Sequence, residues 1–284
     1  MNSTAALASI REIEREVATL RMAPGSDVPY QRTSVMTHTA WVPPEWVEAA
    51  EDVLTGLADR HPSRTIVLFP QSGGGGLEGE VDVESFGRGE GRTVCTDTIR
   101  IRLHGTSAAH PASVVEPLLI PDLPVFLRWR GLPPFDDSAF VELVETVDRL
   151  IVDSTEWLGL PAPYAEFAEV FDRVAVSDIA WARTSRWRPM LASLWPQIVE
   201  VQKIKVTGTL AQAHLLAGWL RSRLERTIEL EHEQAEKLVG VELDGKPAPF
   251  PSGDPPRPAD LLSDELDTLD RDPVYEGAVR AAVT

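Results

Sequence analysis

His61–Pro70 reads HPSRTIVLFP, and this stretch decides the fold class. Thr65–Phe69 is a short continuous apolar run, the pattern of a parallel strand covered on both faces. His61-Pro62-Ser63-Arg64 is a turn, and the residues before it are helical in pattern. Pro43-Pro44 opens a helix with Trp46, Val47, Ala50, Val53, Leu54 and Leu57 on one side. Helix, turn and buried strand together begin a doubly wound α/β domain.

The same rhythm extends in both directions. Thr33–Val42 reads as a strand preceding the helix. Further on come a helix at Ser113–Ile120, a strand at Val125–Trp129, a helix at Asp136–Val147 and a strand at Leu150–Val152. Between these halves lies an excursion. Gly73–Gly76 and the following glycines are expected to form a flexible hairpin, with Val81 and Val83 on a short edge strand. Thr93–Leu103 alternates polar and apolar, which predicts an antiparallel addition to the sheet. Upstream, Ile10, Ile13, Val17 and Leu20 form the apolar stripe of an amphipathic helix whose safest packing partner is its own chain.

A second, smaller domain follows the linker Thr155–Pro163. Tyr164–Val174 reads as a bridging helix, Ile198–Val206 as a strand and Thr209–Leu224 as a helix. Thr227–Glu233 and Leu238–Leu243 are strands, with Asp244-Gly245 as a turn. Leu261–Leu266 is a short helix, and Asp272-Pro273 caps the last one. The expected division is an N-terminal helix over 1–24, an α/β domain over 25–160 with a mostly parallel sheet, and a mixed α/β domain over 161–284 ending in an acidic, Pro-rich tail.

Ser177–Trp195, SDIAWARTSRWRPMLASLW, concentrates three of the eight tryptophans and three arginines in a chain of net charge −17. Ser177 or Asp178 suits an N-cap. Ala180, Thr184, Trp187, Leu191 and Leu194 share a helical face, and Pro189 predicts a kink. Asp178, Trp181, Arg183, Arg186 and Arg188 are therefore the candidate partner-docking residues. On this reading Trp187 supports the core, whereas Arg183 and Arg186 flank the apolar face and serve docking.

Composition narrows the chemistry. Apolar residues make up 43% and charged ones 25% of 284 residues, an ordinary globular balance. The negative charge argues against nucleic acid as a partner. No run of 18 apolar residues and no leader pattern occur, so no membrane association is expected and the chain should be cytoplasmic. One cysteine, Cys95, excludes an intrachain disulfide. The glycine run lacks the Gly-Lys-Ser/Thr of a phosphate loop and opens no helix, and the six histidines show no metal-ligand spacing. Neither a catalytic constellation, a metal nor a cofactor site is expected. Open parallel sheets take ligands at the carboxyl ends of their strands, where Gln71, Ser72, Arg130, Asp153 and Ser154 fall. An anion on Arg130 and sugar hydroxyls on Asp153 would suit that crevice, while the plainer reading of Asp153-Ser154 is a cap for the next turn.

Five stretches carry a resemblance: HPSRTIVLFP (61–70), LLIPDLPVFLRWRG (118–131), RLIVDS (149–154), SDIAWARTSRWRPML (177–191) and LLAGWLRSRL (215–224). In this order they resemble the glucose-6-phosphate dehydrogenase assembly protein family, OpcA, from about Pro44 to the closing DPVYEGAVRAA. The resemblance implies a non-catalytic bacterial subunit, an allosteric activator that promotes oligomerisation and activity of glucose-6-phosphate dehydrogenase. That enzyme oxidises glucose 6-phosphate with NADP at the entry to the oxidative pentose phosphate pathway. Thiol control discussed for some members has no internal disulfide to use here. The rival reading is an enzyme or sensor that takes a sugar phosphate at the strand ends.

Overall fold

The computed structural model describes residues 7–21, 34–50, 62–87, 93–254 and 257–283. Its larger sheet has seven strands in the order β3-β4-β2-β1-β5-β6-β7. These are β1 Met36–Trp41, β2 Ser63–Gln71, β3 Gly76–Gly87, β4 Thr93–His104, β5 Val125–Trp129, β6 Arg149–Val152 and β7 Ala175–Asp178. The central strand β1 runs parallel to β2 on one side and β5 on the other. Every residue of β1 is buried, so the expected two-face cover of a parallel sheet is met even by a strand rich in threonine. Thr37 hydroxyl oxygen accepts from the amide of Ile120 at 3.5 Å.

The excursion differs from the alternation-based expectation. β4 is parallel to β2, and the edge strand β3 is antiparallel to β4, paired with it along twelve residues. The β3–β4 pair is the hairpin, while the glycine run instead leads the chain from β2 past the place that β4 fills. Gly73, Gly74 and Gly76 all take positive φ there, and a side chain on Gly74 would come within 3.1 Å of the His104 ring. Periodicity could not show this, because both edge and inner strands alternate when one face carries charge.

Helix α1 (Ile10–Arg21) covers the β3 edge on its own chain. Leu7 exchanges both backbone hydrogen bonds with Gly79, at 2.9 and 2.7 Å. Ile13 fills the space above Gly79, where a Cβ would stand 2.6 Å from its Cδ1. Arg21 and Arg64 converge on the fully buried Asp97 carboxylate, so neither end of α1 is loose on the sheet. Elsewhere the helix expected at 113–120 shortens to one turn, Ala112–Val115, and a 3-10 turn, Glu116–Leu118. Pro117 lacks the amide that would continue it. The helix expected after Pro44 begins as a 3-10 turn, Pro44–Trp46. Val53, Leu54 and Leu57 lie outside the described residues.

The chain divides into two compact units, 1–150 and 151–284. The second holds a four-stranded sheet of order β11-β10-β8-β9: β8 Lys203–Gly208, β9 Glu229–Gln234, β10 Gly240–Leu243 and β11 Lys246–Pro247. The strand expected at 198–206 begins only at Lys203, after a 3-10 turn, Gln197–Glu200. Glu231 and Glu233 on β9 face Lys203 and Lys205 on β8 at 2.7 and 2.9 Å, which reconciles the acidic edge strand with its neighbour. Seven further helices are named below: α2 Ser138–Glu145, α3 Pro163–Val170, α4 Ile179–Ala182, α5 Trp187–Ala192, α6 Leu210–Leu224, α7 Pro258–Leu266 and α8 Pro273–Ala282. α6 begins in a complete capping box of Thr209 and Gln212, and α8 on the Asp272 cap with Pro273 next.

α6 and α8 pack backbone to backbone. A Cβ on Gly218 would overlap the Ala278 carbonyl oxygen and stand 2.9 Å from the Ala282 amide. Both obstacles are backbone and cannot rotate away. Gly218→Ala, which in an open helix would stabilise by about 0.5–1 kcal/mol, is expected to cost roughly 1–3 kcal/mol through overpacking. Urea unfolding measures it; an unchanged or raised midpoint would contradict this crossing.

Candidate functional site

Ser177–Trp195 folds as a strand end and two short helices. Asp178 ends β7 and caps α4 by accepting from the Ala180 amide at 2.8 Å. The helix then breaks at Arg183–Arg186, ahead of the kink expected at Pro189. Thr184 donates its hydroxyl to the Trp181 carbonyl at 2.7 Å, a local bond that competes with helix continuation. Pro189 is the third residue of α5, where no amide is required. Of the five residues expected on one helical face, Ala180, Thr184, Trp187 and Leu191 are buried and Leu194 is half-buried, but the break at Arg183–Arg186 means that no single helix carries them.

The candidate docking residues mostly grip their own chain. Trp181 is buried and donates its indole N–H to Asp272 at 2.9 Å. The Arg188 guanidinium lies 3.5 Å from the centroid of the Trp181 ring. Burial lowers the Arg188 pKa to about 10. Arg183 pairs with Asp153 at 2.8 Å, and Arg186 donates to the carbonyls of Pro251, Ser252 and Gly253. Trp195, at the end of the stretch, is 67% exposed.

Asp178 is the centre of a buried polar network. Its carboxylate accepts from the Ser154 amide at 3.0 Å, the Ser154 hydroxyl at 2.6 Å and the Tyr275 hydroxyl at 3.2 Å. Tyr164 donates in turn to the Ser154 oxygen at 2.9 Å. Asp153 belongs to the neighbouring set, accepting from the Thr155 hydroxyl and Arg183. Burial, reinforced by the Asp153 charge, lifts the Asp178 pKa to about 6, and burial raises Tyr164 and Tyr275 well above the usual phenol value. The sequence offers Asp153 and Ser154 to the strand-end crevice or, more plainly, to the cap of the next turn; Asp153 accepts from the Thr155 amide at 3.2 Å as that cap, and both residues are buried within the second unit. Tyr164 and Tyr275 were missed, since a lone tyrosine in a helix carries no partner signal.

A cleft of about 510 Å³ opens in the first unit at the carboxyl ends of β1 and β5. Trp41, Trp129, Arg130, Glu45 and Ser138 line it, whereas Gln71 and Ser72 are absent from its walls. Trp41 and Trp129 sit opposite each other in register and stack at 4.9 Å with planes 9° apart. Arg130 follows β5, its amide bonded to the Trp41 carbonyl at 3.1 Å, and its guanidinium lies over Trp46 at 4.8 Å. Asp137 caps α2 by accepting from Ala139 at 2.8 Å. The expected crevice is thus represented by Arg130, while Trp41, Trp46 and Trp129 were missed. Their signal was present: each aromatic lies at or just beyond a strand's carboxyl end.

The raised pKa of Asp178 has a signed consequence. With about 6 in the fold against an ordinary 3.8, its contribution to stability is fully present below ~3.8 and is lost as pH rises through ~6, about 3 kcal/mol in all. Asp178→Asn removes that titration. The parent's unfolding free energy minus the variant's should therefore fall by about 2–3 kcal/mol between pH 4 and pH 7. Parallel stability curves for the two proteins would show that Asp178 does not carry the shift.

Comparison with known proteins assigns the chain. Residues 55–171 match the glucose-6-phosphate dehydrogenase subunit N-terminal domain family, and residues 174–255 match the corresponding C-terminal domain family. A relative from Nostoc punctiforme, provisionally named OxPP cycle protein OpcA, is 29% identical over 182 residues, covering 60% of this chain and 39% of its own. A relative of the same name from Synechococcus elongatus is 25% identical over 232 residues, covering 70% and 50%. The chain spans at most half the length of these two relatives. With both family domains present in succession, the chain belongs to the OpcA family of glucose-6-phosphate dehydrogenase subunits.

Proposed function

We propose that this chain is a non-catalytic assembly subunit that binds glucose-6-phosphate dehydrogenase, favours its active oligomer and raises its activity. The observation that carries the reading is the succession of both subunit-family domains over residues 55–171 and 174–255. Such a subunit acts by population shift: it raises activity only as far as it binds the active form more tightly than the inactive one.

We assign docking to the stretch that ends in Trp195. Asp178 and Trp181 are buried and shape it from within, Arg183, Arg186 and Arg188 are half-buried along it, and Trp195 stands 67% exposed. Exposed tryptophan beside arginine is the composition of interface anchors. The network behind it holds the stretch in place, so little ordering cost is left for the encounter.

Titrating the chain into a fixed, dilute amount of glucose-6-phosphate dehydrogenase tests this. The rate should rise to saturation, while the chain alone should not reduce NADP with glucose 6-phosphate. Trp195→Ala should shift the titration midpoint about thirty- to a thousandfold yet change stability by less than about 0.5 kcal/mol, being a surface substitution. Turnover by the chain alone would refute the non-catalytic role. An unshifted Trp195→Ala titration would move the docking face elsewhere.

A further inference from the structure

The cleft in the first unit stands where the strand order of the sheet reverses. β2 continues from β1 to one side, with β4 and β3 beyond it, and β5 returns on the other side of β1. Both neighbours are parallel to β1. The connections leaving the carboxyl ends of β1 and β5 therefore diverge, which makes a crevice at the topological switch point. The cleft lined by Trp41, Trp129 and Arg130 lies there, and its volume of about 510 Å³ falls within the roughly 300–1,000 Å³ of small-molecule sites.

We propose that this cleft binds a small phosphorylated polyol, with its phosphate on Arg130 and its hydroxyls on Glu45 and Ser138. Three features select that class. The guanidinium is held over the Trp46 ring, and its N–H donors lie in the guanidinium plane, the geometry that suits bidentate pairing with a phosphate. Indole edges from the stacked pair supply apolar wall for the C–H side of a sugar. Glu45 and Asp137 set two carboxylates beside the one guanidinium. A bare anion meets too little net positive charge there, whereas a ligand that also carries hydroxyl donors satisfies both signs. Gly131, at φ 77°, keeps the turn after Arg130 close to Trp46: a Cβ would reach the indole nitrogen at 3.2 Å.

This inference does not depend on the assembly role, and the test uses the full chain without any dehydrogenase. Calorimetric titrations would use glucose 6-phosphate, 6-phosphogluconate and ribose 5-phosphate, with glucose and inorganic phosphate as separate arms. At least one sugar phosphate should bind, and each of the two fragments should bind at least tenfold more weakly. Arg130→Gln should weaken binding at least tenfold with an unchanged melting temperature. Glu45→Gln, at an exposed position, provides a second variant should Arg130→Gln fail to fold, and it too should weaken binding. No heat from any of the three sugar phosphates would overturn the proposal. So would binding that neither variant weakens, or inorganic phosphate alone binding as tightly as the best sugar phosphate.

Discussion

A carboxylate buried at Asp178 is the constraint on which the second unit depends. Removing such a charge from water costs several kcal/mol unless hydrogen bonds replace the lost hydration. Four donors do so here: the Ser154 amide and hydroxyl, the Ala180 amide and the Tyr275 hydroxyl. They come from three segments of the chain. Ser154 follows β6, Ala180 begins α4, and Tyr275 belongs to the last helix, so one side chain joins segments far apart in sequence. Trp181 reinforces the same joint by bonding Asp272, the residue that caps α8. What these bonds do is tie β6, α4 and α8 together.

In the first unit the equivalent constraint is parallel pairing. A strand flanked on both sides by parallel neighbours has both faces covered and must be apolar or internally bonded, and β1 meets this with threonines as well as Ala40 and Trp41. The aromatic pair Trp41 and Trp129 closes the carboxyl end of that layer, with Phe140 of α2 edge-on at 5.0 Å. Function is expected where such a layer stops, because the loops there are held by a rigid sheet yet are free to differ in sequence.

Much of this was legible in the sequence. Thr65–Phe69 announced a parallel strand through its continuous apolar character, Val125–Trp129 continued the alternation of helix and strand, and Asp244-Gly245 and Asp272-Pro273 carried their turn and cap chemistry openly. The strand β7 was not legible, because Ala175–Asp178 is four residues long and runs into a helix whose periodicity claimed Asp178 only as a cap. The direction of β4 was hidden because alternation reports which face is covered and says nothing of strand direction. Among the candidate site residues, the internal bonding of Ser177–Trp195 was not legible in the sequence. Arg183 and Arg186 resemble docking residues in composition, yet their partners, Asp153 and the carbonyls of 251–253, lie far along the chain. Arg130 was legible as a strand-end cation, while the tryptophans around it gain meaning only when β1 and β5 are placed side by side.

The proposal that rests on the family assignment is a protein that works by holding a partner. The most direct measurement of that claim is the mass in solution of glucose-6-phosphate dehydrogenase with and without this chain, by light scattering at matched enzyme concentration. The account predicts a larger species that contains both proteins and an enzyme oligomer stabilised against dilution. Two unchanged masses across the concentration range, with the enzyme dissociating as it does alone, would contradict it.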